Sequence, residues 1–411
     1  MVEELESFLK THEKGAYDRE NFDKYCAKRK LFLSCPVIHI TGSNGKGSTA
    51  HYLEAIYLAA GFHVALFSKP FFYKVNETMR FDGKEISDEE LAAFWANGKK
   101  DFDKFGLTSF EANVALAYRF FESKKPDIAI VEAGMGGVID ATNIDDLDTR
   151  LAIITSISLE HTSYLGTTLS QIALHKAGII KPDSPVLLGK MDETCLDTIR
   201  EEARKLHSKV VRVESYHFNH LVENAFHFDY GPYKDVVLNT TADYQLRNAC
   251  LAIEATRILQ EDFPVEESAV RSGLANETLP GRLERFGRIV LDGAHNPEAV
   301  ECLCRCVPTL SRGKPVHVLF ASFRDKNIAV ELPSLANIVT DITLTTFDHP
   351  RARTEDEYFL YISDHPFAAD AEKALEDLLV NFPEDTILIT GSLNFVGLMR
   401  ELIVRKGLGT R

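Results

Sequence analysis

The sequence predicts an α/β fold in two domains: a larger one over residues 1–280 with a mostly parallel, doubly wound sheet, and a smaller α/β one over residues 281–411. Three observations lead there. Short apolar runs alternate with stretches of helical periodicity, as strands do when crossover helices bury both their faces. The alternation restarts after Asn276-Glu277-Thr278-Leu279-Pro280-Gly281, a turn-forming string that sets the boundary near residues 277–284. A length of 411 residues also suits two cores better than one.

In the first domain, residues 37–40 are a short apolar run ending in a Gly-rich turn, and residues 48–60 carry a helical pattern closed by Gly61. Residues 63–67 read as the next strand, 88–104 and 109–123 as helices, and 127–132 and 151–155 as buried strands. Between residues 208 and 240 polar and apolar residues alternate as in a β-hairpin patch, and a helix follows over 244–259. In the second domain strands are expected at 288–291, 316–320, 342–346 and 386–390, with helices between them. The two domains should meet at a cleft.

The composition, 45% hydrophobic and 26% charged, is that of a globular protein. A net charge of −15 offers no broad positive field, so nucleic acid and acidic membranes are not expected partners. A local cluster of lysine, metal and backbone N–H groups can still hold an anionic substrate. The acidic, amphipathic start lacks the apolar core of a signal peptide, and no apolar run spans a bilayer; a cytoplasmic monomer is expected. The seven cysteines form no disulfide framework. Cys302, Cys304 and Cys306 fall in a helical pattern, where positions two apart diverge, which favours packing over metal binding.

Thr41-Gly42-Ser43-Asn44-Gly45-Lys46-Gly47-Ser48-Thr49 lies between a strand and a helix. Glycines there let backbone N–H groups converge on anionic oxygens, and the helix N-terminus adds its positive end. Lys46 would neutralise the outer phosphates of ATP or GTP and the Ser48 hydroxyl would reach Mg²⁺, although the string departs from the usual G-x-x-x-x-G-K-[ST]. Glu132 ends another buried strand, where a carboxylate beside such a loop can hold Mg²⁺.

Taken together, the blocks TGSNGKGST, VEAGMGGVIDATN, ITSISLEHTSYLGTTLSQIALHKAGIIK and LPGRLERFGRIVLDGAHNP, in this order, resemble signatures of the folylpolyglutamate and dihydrofolate synthases of the Mur ligase superfamily. The later FDHPRA and ITGSLNFVG strings extend the likeness. The resemblance implies a P-loop ATPase domain followed by a smaller Rossmann-like domain, with ATP, Mg²⁺, a folate and L-glutamate brought together between them. It implies that the terminal carboxylate of the folate is phosphorylated and then attacked by the amino group of glutamate.

Carried over residue by residue, Asn44, Gly45, Lys46, Gly47 and Ser48 match the ATP loop, and Asn248, Arg282 and Asp292 match further nucleotide contacts. Ser48, Glu132 and His161 match the metal ligands; read alone, His161 would be a structural histidine, and imidazole is an uncommon Mg²⁺ ligand. Lys176 matches a lysine that the superfamily carbamylates; read alone it is a solvated helix lysine. His295 is implied to act on phosphate or glutamate, while the segment 292–297 also reads as a strand-to-helix turn with Asn296 capping a helix begun by Pro297. Ser68, Thr108, Ser109, Phe110 and Glu111 match substrate contacts.

Three positions leave the pattern: Lys69 where a Ser-Pro pair is usual, Val138 for Arg, and Asn394 for Tyr. An ammonium has no lone pair for Mg²⁺, so water is expected at the vacated ligand position, with Lys69 turned towards a phosphate or Glu132. A shift that offers the Ser68 hydroxyl instead would disturb Pro70. The favoured activity is addition of L-glutamate to tetrahydrofolate. The alternatives are dihydrofolate synthesis, alone or as a second function, and a nucleotide-binding relative without ligase activity.

Overall fold

The computed structural model describes residues 2–12, 18–69, 71–72 and 74–409. Pro70 and Tyr73, with the ends of the chain and part of the acidic N-terminal stretch, lie outside the described residues. In chain order the first sheet contains β1 (Leu33–Thr41), β2 (Val64–Phe67), β3 (Met79–Phe81), β4 (Lys84–Glu85), β5 (Ile128–Glu132), β6 (Leu147–Ile154), β7 (Val186–Leu188) and β8 (Val210–Arg212). Their spatial order is β4-β3-β2-β5-β1-β6-β7-β8. All pairs are parallel except β2–β3 and β3–β4.

Alternate residues of the central strands face opposite layers. Ile38, Ile40, Leu66 and Ile130 pack under the helices Lys46–Ala59 and Tyr244–Ile258. Val37, Ala65, Phe67 and Val131 pack under the helices Asp88–Phe105 and Ser109–Lys124. A strand flanked by two apolar layers must be apolar on both faces, which is why these segments read as continuous runs. β9 (His217–Val222), β10 (Ala225–Tyr230) and β11 (Tyr233–Leu238) form a separate antiparallel sheet. Its inner residues Phe226, Phe228 and Val236 join the first of these cores.

The last sheet contains β12 (Arg282–Phe286), β13 (Ile289–Asp292), β14 (Val316–Phe320), β15 (Asp341–Thr345), β16 (Phe367–Ala368) and β17 (Thr386–Thr390). Its order is β12-β13-β17-β14-β15-β16, with only β12–β13 antiparallel. The α/β class with a mostly parallel first sheet is as the sequence predicts. Strands β3, β4 and β7 were not foreseen, since at two or three residues each they are too short to show a period; β8 falls inside the stretch read as a hairpin patch but pairs parallel with β7 instead. Among the described residues no helix is long and apolar enough to cross a membrane.

Candidate active site

β1 lies between β5 and β6, with successive strands on either side of it, and the chain leaves its carboxyl end into the phosphate loop. Such a switch point opens a crevice in a parallel sheet. A cleft of ≈ 1690 Å³ runs from here to the second domain. Single-ligand pockets measure about 300–1,000 Å³, so this one has room for two substrates.

Gly45 caps the helix Lys46–Ala59 with φ +88°, and a Cβ there would lie 2.3 Å from Asn248 Oδ1. Glycine is therefore required by the backbone and by its neighbour alike. Lys46 Nζ donates to the carbonyls of Gly42 (2.7 Å) and Ser43 (3.2 Å). Gln245 Nε2 donates to Ser48 Oγ at 3.1 Å, and Asn248 Nδ2 donates to Gln245 Oε1 at 2.8 Å. The helix Tyr244–Ile258 thus fastens the loop. Across the cleft, Asn44 Nδ2 donates to Glu298 Oε2 (2.6 Å) and Asn296 Nδ2 donates to Asn44 Oδ1 (3.0 Å), so the two domains meet on the phosphate loop itself.

Glu132, 4% exposed, ends β5 beside this loop. Its Oε2 accepts from Ser68 Oγ at 2.5 Å and from the Lys69 backbone N–H at 3.0 Å. A Cβ on Gly47 would lie 3.2 Å from Glu132 Oε2 and 3.3 Å from Ser68 Oγ, so loop, hydroxyl and carboxylate converge. Burial raises the Glu132 pKa, against the opposing charge of Lys46 and these two donors. Among the described residues no lysine or arginine makes ion-pair contact with it. A buried carboxylate beside the Ser68 hydroxyl, with Ser48 following the Gly47 that approaches both, is an all-oxygen donor set that fits a hard dication.

The expectation for Lys69 needs correction. Phe67 pairs with Val131 in the β2–β5 register, which puts Ser68, not Lys69, opposite Glu132. The Ser68 hydroxyl, rather than the Lys69 side chain, lies against Glu132, and Ser68 itself does not line the cleft. The Lys69 ammonium does not turn to Glu132 but stands over the Phe110 ring, 4.8 Å from its centroid.

His161 is exposed in the cleft and has left-handed backbone (φ +46°); desolvation lowers its pKa. Its neighbour Glu160 accepts from Lys176 Nζ at 2.7 Å. Lys176 is 1% exposed and lies behind the cleft wall, so it is no solvated helix lysine. Burial brings the Lys176 amine down to about 8, against the attraction of Glu160. Burial opposes ionisation of Glu160 too, yet Lys176 and Lys46 draw it down to about 2.

Arg282 and Asp292 are register partners on β12 and β13, and both line the cleft. Asp292 Oδ2 accepts from Tyr244 Oη (2.7 Å) and Leu283 N (3.0 Å), and Oδ1 accepts from Ala294 N (3.0 Å). Burial lowers His295 to about 4, so its ring is neutral at neutral pH. Its Nδ1 lies 2.8 Å from the Gly293 carbonyl, which can only accept. The proton therefore sits on Nδ1, leaving Nε2 as the acceptor. Asn296 caps the helix Pro297–Ser311 by accepting from Ala299 N at 2.9 Å, so the turn reading holds as well.

Thr108, Ser109 and Phe110 line the cleft beyond Glu132. Glu111 does not, and its expected substrate contact is corrected. Its Oε2 accepts from Thr108 N (2.7 Å) and Oγ1 (2.8 Å), a capping box that starts the helix Ser109–Lys124. Sequence reasoning missed Glu160, Gln245, Tyr244 and Glu298. Glu160 and Gln245 each adjoin or lie one helical turn from a recognised residue, whereas Glu298 is found only through its contact across the cleft. Away from the cleft, His220, His227 and Asp235 bring potential ligand atoms within 4.8 Å of one another. The two rings stack at 4.4 Å and 18°, so their in-plane lone pairs run side by side rather than towards one ion.

Residues 40–256 match the Mur ligase middle domain, and residues 281–393 match the Mur ligase glutamate ligase domain. The chain belongs to the Mur ligase family. It is an ATP-dependent ligase of the folylpolyglutamate/dihydrofolate synthase group. This Mur ligase is 30% identical over 376 residues to the dihydrofolate synthase/folylpolyglutamate synthase of Escherichia coli K12, covering 89% of this chain and 86% of that protein. It is also 30% identical over 387 residues to the folylpolyglutamate synthase of Lacticaseibacillus casei, with 89% and 90% covered. The solved structure of E. coli FolC in complex with DHPP and ADP superposes with a TM-score of 0.87 at 27% identity, covering 99% of this chain and 98% of that one.

Proposed function

We propose that this Mur ligase adds L-glutamate to the γ-carboxylate of a tetrahydrofolate through an acyl phosphate, with the division of labour falling at residues 280/281. The observation that carries the reading is the convergence of the phosphate loop, the buried Glu132 and the second-domain residues Asp292 and His295 on one cleft. A carboxylate is a poor electrophile; phosphoryl transfer makes it a mixed anhydride whose leaving group is phosphate. Backbone N–H groups of residues 44–47 and the Lys46 ammonium bind the ATP phosphates, while Asn248, Arg282 and Asp292 hold the rest of the nucleotide. Contacts such as Asn44–Glu298 close the cleft and exclude water from the anhydride. His295 lines the cleft with Nε2 as an acceptor, which supports a role in receiving the ammonium of incoming glutamate.

Mg²⁺ is assigned to Ser48, Glu132 and His161, with the Ser68 hydroxyl beside them; when bound it would neutralise charge on the transferring phosphoryl group. A carbamate is assigned to Lys176. An amine brought down to about 8 offers a neutral fraction to carbon dioxide, and Glu160 must release it first. The enzyme is read as a cytoplasmic monomer without nucleic-acid or membrane partners.

The reading is tested by ATP-dependent incorporation of labelled glutamate, with tetrahydrofolate and dihydropteroate as rival acceptors. Incorporation into tetrahydrofolate is expected. Incorporation into dihydropteroate alone would make the chain a dihydrofolate synthase, and incorporation into neither would remove the ligase assignment.

A further inference from the structure

The cleft has two ends on either side of the phosphate loop. On one side Asn248, the neighbour of Gly45, leads to Arg247, Leu251 and Tyr216, which is the path left for the nucleotide. On the other, beyond Glu132, lie Lys69, Phe110, Thr108 and Met135. The Phe110 ring rests on Gly134, where a Cβ would lie 2.5 Å from Phe110 Cζ, so a flat aromatic wall is built into the loop after β5. Lys69 links this wall to the reaction centre. Its backbone N–H is on Glu132 Oε2 at 3.0 Å, while its ammonium stands over Phe110 at 4.8 Å. One residue therefore reaches from the metal-side carboxylate to the acceptor end.

The two acceptor types differ in charge next to the reacting atom. A pteroate ends in a single carboxylate, the one that is phosphorylated. A folate ends in glutamate, whose γ-carboxylate reacts and whose α-carboxylate does not; in an extended chain the two carboxyl carbons lie about 5 Å apart. With the γ-carboxylate at the Lys46 and Glu132 centre, the α-carboxylate needs a cation one glutamate length away, on the acceptor side. Among the described lysine and arginine side chains that line the cleft, Lys69 is the one whose ammonium stands over Phe110, on that side of Glu132. We propose that Lys69 receives the non-reacting α-carboxylate of a glutamate-terminated acceptor and so selects folates over pteroates. This rests on the acceptor reading given above and sharpens it: Lys69 is a specificity-determining residue rather than a misplaced metal ligand.

The test is Lys69→Met, which keeps the aliphatic stem over Phe110 and removes the ammonium, with Lys69→Arg as the charge-retaining control. kcat and KM are measured for tetrahydrofolate and dihydropteroate, and dissociation constants of both are measured at saturating ADP. Loss of one charge pair in a partly solvated cleft should lower the tetrahydrofolate-to-dihydropteroate preference of Lys69→Met about tenfold, carried by KM and by the dissociation constant, with Lys69→Arg recovering most of it. A preference that stays the same, whether because both acceptors lose equally, as for a phosphate contact, or because neither changes, overturns the proposal. Failure of the wild type to ligate either acceptor removes the ligase reading instead, and the binding ratio still decides the role of Lys69. Failure to bind either acceptor overturns both.

Discussion

Glu132 ends the strand on one side of β1 and Glu160 follows the strand on the other; both line one cleft, Glu132 buried and Glu160 half-buried, and their environments push them in opposite directions. Glu160 has an ammonium at 2.7 Å and is ionised well below the usual carboxylate range. Glu132 has a hydroxyl and an amide N–H as its close donors, and burial raises its pKa. The protein itself has neutralised one carboxylate and left the other to be neutralised by something else. That difference is what favours Glu132 over Glu160 as a ligand in the proposed cation site.

The largest effect concerns the cation both share. Lys46→Ala should slow ligation about 10³-fold, or about 4 kcal/mol in the transition state, with little change in Tm because the loop is built from backbone. Near-normal turnover in the purified variant would break the phosphate-loop assignment.

Next is Lys176→Ala, which leaves Glu160 buried without its partner and should destabilise the fold by about 3 kcal/mol in denaturant titration. Turnover should be largely lost and partly rescued by a short-chain carboxylate. In the wild type the neutral amine fraction rises as pH climbs through about 8, so ¹³C NMR of the carbamate in labelled bicarbonate should strengthen across that range. A signal that falls with pH would exclude Lys176.

A third variant separates the two carboxylates. At a hundredfold excess over its dissociation constant, Mg²⁺ should stabilise the wild type by about 2.7 kcal/mol. Glu132→Gln should abolish that gain while raising the metal-free Tm, since a neutral isostere no longer carries a charge that burial disfavours. Above the ordinary carboxylate range the raised pKa of Glu132 makes its ionisation unfavourable to folding, so this advantage should grow as pH rises past 4.5 and shrink below it. Glu160→Gln should keep the Mg²⁺ response. Equal responses in the two variants would remove the distinction.

The smallest effect belongs to a third carboxylate, Glu111, whose partner is a helix cap. Thr108→Ala should cost about 1 kcal/mol of stability through the lost cap. A loss of several kcal/mol would mean that the cap supports more than its own helix.

Legibility in the sequence followed distance along the chain. The phosphate loop could be read because its glycines, Lys46 and Ser48 are contiguous and flanked by a strand and a helix. Glu132 could be read as the polar end of an apolar run. That Ser68 rather than Lys69 faces Glu132 was not legible, because what decides between them is the pairing of β2 with β5, a contact 64 residues away that no local pattern reveals. Lys176 looked solvated because a helix carries nothing local to show that Glu160 meets it from the cleft wall. The short strands β7 and β8 are held by their neighbours in the sheet rather than by their own periodicity.

The central claim, that this cleft activates a carboxylate as an acyl phosphate, is tested most directly by tetrahydrofolate labelled with oxygen-18 in its γ-carboxylate. Ligation with ATP and glutamate should release inorganic phosphate carrying one labelled oxygen for each glutamate joined. Unlabelled phosphate alongside product formation would contradict it.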